Sequence, residues 1–116
     1  MKSFDGSRTV VEKTVNYWKR AEQDLRESVL WYRDEAGPVT AERFIDAVLE
    51  AEVTIRDFPE IGSMHFAHLM SMAVLRTHVV PGFPYLMFYV ATENGVDIIR
   101  ILHQSRDIPS HLMAND

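Results

Sequence analysis

The feature that most constrains this chain is a change of period near its middle. From Ala21 to Phe58, apolar residues recur three and four positions apart, interrupted once at Gly37-Pro38. Beyond Gly62 the apolar runs alternate or become continuous, as strands do. A chain that changes period in this way must lay paired helices over a sheet to bury both sets of apolar side chains.

The first helix follows from Ala21, Leu25, Val29 and Tyr32, which form one stripe that Leu30 and Trp31 broaden. Arg20, Glu22, Asp24, Arg26, Glu27 and Arg33 are expected on the opposite, solvated side. Gly37-Pro38 ends this helix in a short turn. Thr40 is the expected N-cap of the second helix, with Glu42 in its first turn. Phe44, Val48, Ala51, Ile55 and Phe58 form its core stripe, with Ile45 and Leu49 alongside, and Pro59 stops it. So short a connection makes an antiparallel helical hairpin.

The strands read as follows. Val10 to Tyr17 places Val11, Val15 and Tyr17 on one face and Glu12, Thr14 and Asn16 on the other, which suits an edge position. Val74 to Val80 alternates and stops at Pro81-Gly82. Pro84 to Ala91 is apolar on both faces, as a central strand must be, and Asn94-Gly95 turns it back into Val96 to His103. Residues 63–73, rich in Met and His, read as a loop that could hold a strand or a short helix. The order β-α-α-β-β-β gives an α+β fold in which an antiparallel helical hairpin packs on one face of a small, mainly antiparallel four-stranded sheet. Residues 1–9 are expected as a flexible tail, 10–108 as the domain and 109–116 as a C-terminal tail.

Composition narrows the chemistry. With 116 residues, 47% of them hydrophobic and 25% charged, the chain makes a single globular domain. It has no cysteine, which excludes disulfides, thiolate catalysis and cysteine-held metals. Residues 1–13 lack the apolar segment of a signal peptide, and no run reaches membrane-span length, so a cytoplasmic protein without membrane contact is expected. Twelve Lys and Arg against seventeen Asp and Glu leave a formal charge of −5, which favours a protein partner over a nucleic acid. His65 and His68 lack a well-placed third ligand, so no metal is expected, and nothing calls for a cofactor. Met64, Met70 and Met72 read as packing or partner-facing residues. Trp18, Trp31 and Tyr32 read as core or interface aromatics.

Several short pieces then carry a resemblance: Ala21-Glu22-Gln23-Asp24-Leu25, Phe58-Pro59-Glu60-Ile61-Gly62, Leu75-Arg76, Phe83-Pro84-Tyr85 leading to Phe88-Tyr89, and Ile101-Leu102-His103 with Arg106-Asp107. In order and spacing, across residues 10–110, they resemble the RelE/ParE toxin superfamily of type II toxin–antitoxin modules. The Phe83–Tyr89 and Leu102–Asp107 segments are most similar to ParE and its plasmid-stabilisation relatives. The resemblance implies a growth-arresting toxin that inhibits DNA gyrase by protein–protein binding, and a cognate antitoxin that neutralises it in a toxin–antitoxin hetero-oligomer. Trp31, Tyr32, Arg76, Tyr85, His103 and Arg106 are the residues expected at partner contacts.

The alternative within the superfamily is a RelE-like, ribosome-dependent mRNA endoribonuclease, which needs cations around the scissile phosphate and a proton-moving group. Its candidates are Arg76, Arg100 and His103. Strand alternation sends Arg100 and His103 to opposite faces unless a bulge intervenes, and no tyrosine follows Tyr89. Arg100, set among isoleucines, is expected to pair with a carboxylate or to reach the sheet edge. A second alternative is an inactive relative, or a binding module that keeps the fold.

Overall fold

The structure, a computed structural model, describes residues 12–69, 74–105 and 108–113. Its elements are β1 (Thr14–Tyr17), α1 (Lys19–Ala36), α2 (Pro38–Asp57), a single 3-10 turn at Ala67–Leu69, β2 (Arg76–Val79), β3 (Tyr85–Ala91), β4 (Gly95–His103) and α3 (Ile108–Met113). The sheet order is β1-β4-β3-β2. β1 lies at an edge and runs parallel to β4, whereas β2, β3 and β4 form the expected antiparallel meander. Val10, Val11, Met70, Met72, Arg106 and Asp107, like the 1–9 segment, lie outside the described residues.

The hairpin connection is tighter than the sequence suggests. α2 begins at Pro38 rather than after Thr40, and Gly37 alone joins the helices, at φ +95°. Its N–H donates to the Arg33 carbonyl at 3.1 Å to end α1, and its carbonyl accepts from Ala41 N–H at 3.2 Å to open α2. Glycine suits a backbone region closed to most side chains, and proline suits a first helical position where an N–H has no intrahelical partner.

In α1 the buried row is Ala21, Asp24, Ser28 and Tyr32, so the helix is turned from the expected Ala21-Leu25-Val29-Tyr32 stripe. Leu25 and Val29 are only partly buried, and Asp24 is taken out of the solvated face. In α2, Phe44, Val48, Ala51 and Ile55 are buried as expected. Phe58 is not: the helix ends at Asp57, and Phe58, just beyond it, is 66% exposed.

Both faces of the sheet are covered. Under the hairpin, Met87, Tyr89, Val96, Ile98 and Ile101 pack with Phe44, Val48 and Ile55. On the other face, Leu75, Phe88, Val90, Ile99 and Leu102 pack with Ile108 and Leu112 of α3 and with Phe66. The C-terminal tail expected from residue 109 is therefore helical up to Met113. Six residues are too few to show a helical period, and α3 is stabilised by burying Ile108 and Leu112, one turn apart, against a strand apolar on both faces.

One irregularity organises the sheet. Phe88 pairs with Arg100 but Tyr89 with Ile98, so Ile99 is an extra residue and the strand bulges. Ile98 and Ile101 both face the hairpin, although strict alternation would separate them. The bulge falls where β1 has ended, and among the described residues the outer edge of β4 has no strand partner beyond Ile98. Asp24 of α1 fills that gap. Its carboxylate accepts from Ile101 N–H at 3.0 Å, and from Arg100 Nε and Nη2 at 2.8 and 3.1 Å. Arg100 Nη1 donates onward to the His111 carbonyl of α3 at 2.8 Å. The pair is 8% and 5% exposed, and it ties both covering layers to the same strand edge.

Removing one member of a buried pair strands the other, which typically costs 3–5 kcal/mol. Asp24→Ala is expected to lower the urea unfolding free energy by about that much. The double variant Asp24→Leu/Arg100→Met should recover a substantial part of the loss, with the Ile101 N–H still lacking its acceptor. Tyr89→Phe, which removes a hydroxyl that donates to the Pro59 carbonyl at 2.7 Å and accepts from Gly62 N–H at 3.0 Å, is expected to cost about 1–3 kcal/mol in the same assay.

Candidate functional site

α1 crosses the C-terminal end of β4 and leaves a cavity of about 380 Å³ between them. Trp31, Tyr85 and His103, three of the expected partner-contact residues, line it together. They belong to a run of ring contacts: Trp31 on Tyr32 at 5.1 Å, Tyr32 on Tyr85 at 6.1 Å and Tyr85 on His103 at 5.1 Å. Tyr32 is a core residue, tilted against Phe44 and edge-to-face with Phe83, and anchors the row. Trp31 stands at its outer end, 56% exposed. His103 Nδ1 accepts from Ser105 N–H at 3.0 Å, with the Ser105 hydroxyl 2.8 Å away. A backbone N–H can only donate, so in the neutral ring the proton sits on Nε2. Asp24, Glu27, Ser28, Ile101, Leu102 and Ser105 complete the wall.

Arg76 lies elsewhere. It is half-buried on edge strand β2, opposite Tyr89, and its Nη1 donates to the carbonyls of Glu60 and Gly62 at 3.1 and 2.9 Å. With the Tyr89 hydroxyl, it pins the Pro59–Gly62 turn to the sheet. Gly62 fits there because a Cβ would come within 2.8 Å of the Thr77 carbonyl. His103 pairs with Tyr85, four residues along β3 from Tyr89, or about 13 Å at the usual strand rise. Arg100 opposes Phe88 while His103 opposes Tyr85, and those two β3 residues belong to opposite cores. The bulge precedes Arg100, so alternation between Arg100 and His103 holds. The structure therefore does not gather Arg76, Arg100 and His103 into one site. His65 and His68 are both exposed, and among the described residues no three His, Asp or Glu side chains are grouped as metal ligands.

A second concavity, also about 380 Å³, runs between the helices, lined by Tyr17, Leu25, Ile45, Leu49 and Glu52 among others. Ile45, Leu49 and Val53, one turn apart on α2, are exposed beside it. Glu52 is partly buried there, and burial raises its carboxyl above the usual range, partly offset by the Tyr17 hydroxyl and by Arg56. The Tyr17 phenol is pushed up by burial and by the neighbouring Glu52 carboxylate. A carboxyl whose pKa is higher folded than unfolded makes the fold bind protons more tightly, so its unfavourable contribution grows as pH rises through the carboxyl range. Glu52→Gln is therefore expected to stabilise the fold slightly at neutral pH, by up to about 0.5 kcal/mol given its exposure, with the gain fading on acidification in thermal melts at graded pH.

Sequence reasoning missed Asp24, Glu27, Ser28 and Ser105 as parts of the cleft. Asp24 and Ser28 complete the Ala21-Asp24-Ser28-Tyr32 row at helical spacing, a legible sign of a polar group on the buried face. Asp24's partner lies 76 residues away, and no local pattern reports it. Arg106 lies outside the described residues.

Comparison with known proteins places this geometry. A chain of the chromosomal ParDE TA system from P. aeruginosa has the same fold, with a TM-score of 0.65 and 16% identity over 81% of this chain and 98% of that one. No curated protein sequence matches. The model of the family described as "ParE toxin of type II toxin-antitoxin system, parDE" matches residues 15–108, from β1 to the start of α3. This chain belongs to the ParE toxin family of type II toxin–antitoxin systems.

Proposed function

We propose that this toxin acts in the cytoplasm by binding DNA gyrase and halting replication, and that a cognate antitoxin neutralises it in a hetero-oligomer. The observation that carries the reading is the dispersal of the three residues a nuclease site would need. Arg100 is buried against Asp24, and Arg76 is engaged with the carbonyls of the Glu60–Gly62 turn. His103 stands at the far end of the sheet from Arg76. A ribonuclease site would need these groups converging on one phosphate, and the acidic charge of −5 weakens RNA attraction further.

What the molecule offers instead is apolar surface. Leu30, Trp31, Ile45, Leu49 and Val53 are exposed on the two helices. Apolar exposure of this kind, with charged residues around it, suits a protein partner. The gyrase contact is assigned to the paired helices, and the antitoxin to an amphipathic helix and an extended segment laid over the apolar grooves.

Purified protein is expected to inhibit gyrase supercoiling, and its expression without antitoxin to cause filamentation and DNA damage with mRNA intact. Leu49→Glu, at an exposed position, should weaken gyrase inhibition by about tenfold or more while leaving the circular dichroism spectrum unchanged. Rapid mRNA cleavage lost in His103→Ala would sink the gyrase reading in favour of the nuclease.

A further inference from the structure

We infer that the cavity between α1 and the end of β4 is a socket for the guanidinium group of an arginine side chain carried by a protein partner. Among the described residues, several polar groups of the wall already have partners. Asp24 is committed to Arg100 and Ile101, the Ser28 hydroxyl donates to the Asp24 carbonyl at 2.8 Å, and His103 Nδ1 accepts from Ser105. Tyr85 is buried and supports the His103 ring.

The exposed α1 side chains on this wall are Glu27 and Trp31. Glu27 is exposed, its Oε2 accepts from the neutral amide of Gln23 at 3.0 Å, and among the described residues it has no salt bridge. Trp31 lies four residues on along α1, one turn away on the same side of the helix, with its indole 56% exposed. Its orientation is set by the edge-to-face contact with Tyr32, whose own ring is fixed in the core.

A carboxylate one helical turn from a held, exposed indole is what a planar cation needs. The guanidinium stacks on the indole face and donates to the carboxylate, whereas an ammonium is a compact, strongly hydrated charge that cannot do both as well. Among the described residues no lysine or arginine lines the cavity to oppose it, and the net charge of −5 attracts a basic partner segment. An aliphatic side chain would leave Glu27 unpaired, and an acidic one would face it directly.

The inference rests on the protein-binding reading above but can be tested without the partner. Titrating the full chain with argininamide, and separately with citrulline amide and lysinamide, is followed through the two tryptophan indole N–H signals in nitrogen–proton NMR spectra. Argininamide is expected to shift the Trp31 signal and not that of Trp18. The affinity should be about fivefold above that of citrulline amide and clearly above that of lysinamide.

Glu27→Gln, a change at an exposed position, should abolish the preference for arginine over citrulline. Equal responses to argininamide and citrulline amide, equal responses to argininamide and lysinamide, or an arginine preference that survives Glu27→Gln would each overturn the socket. Growth arrest without any argininamide response would sink the socket alone. An arginine response without gyrase inhibition would sink the gyrase reading alone.

Discussion

The ion pair between Asp24 and Arg100 is the interaction on which the rest of the structure depends. Two charges in a site less than a tenth exposed are costly to desolvate, and they are tolerated because nearly every donor and acceptor has a partner. Arg100 meets Asp24 through two nitrogens, and a third reaches α3. Asp24 also accepts a backbone N–H, that of Ile101, on the edge of β4 beyond its pairing with β1. An apolar pair could fill the volume but could not satisfy that N–H. The pair thereby fixes where α1 crosses the sheet and where α3 closes the opposite face.

Two consequences for function follow from that placement. The bulge at Ile99 removes Arg100 from any surface role, because it turns the guanidinium along the strand edge towards Asp24. It also leaves alternation intact from Arg100 onwards, so His103 emerges on the hairpin side beside Tyr85 and Trp31. The cleft is therefore built from the end of a strand and one side of a helix whose relative position a buried ion pair holds. Sites on such rigid elements keep their geometry better than sites on loops. The Pro59–Gly62 turn is fixed independently, by Arg76 and the Tyr89 hydroxyl, at the other end of the sheet.

The amino-acid sequence by itself determined the helices, the meander and their order. Helical and strand periods, the Gly37-Pro38 break and the Asn94-Gly95 turn are local signals, and local backbone preferences act through them. It also placed β1 at or near an edge and Arg100 either against a carboxylate or at the sheet edge, since a charge amid isoleucines has few other stable arrangements. The tertiary structure alone decided which carboxylate. Asp24 looked solvated because a helix shows its period but not its rotation about its own axis, and that rotation is set by what it packs against. Phe58 fell outside the core because the helix ended one residue before it. α3 formed because burial against Phe88 and Leu102 supplies what six residues lack on their own. The grouping of Glu27, Trp31, Tyr85 and His103 likewise required the fold. Those residues span 77 positions of chain, and only the crossing of α1 over β4 brings them to one cavity.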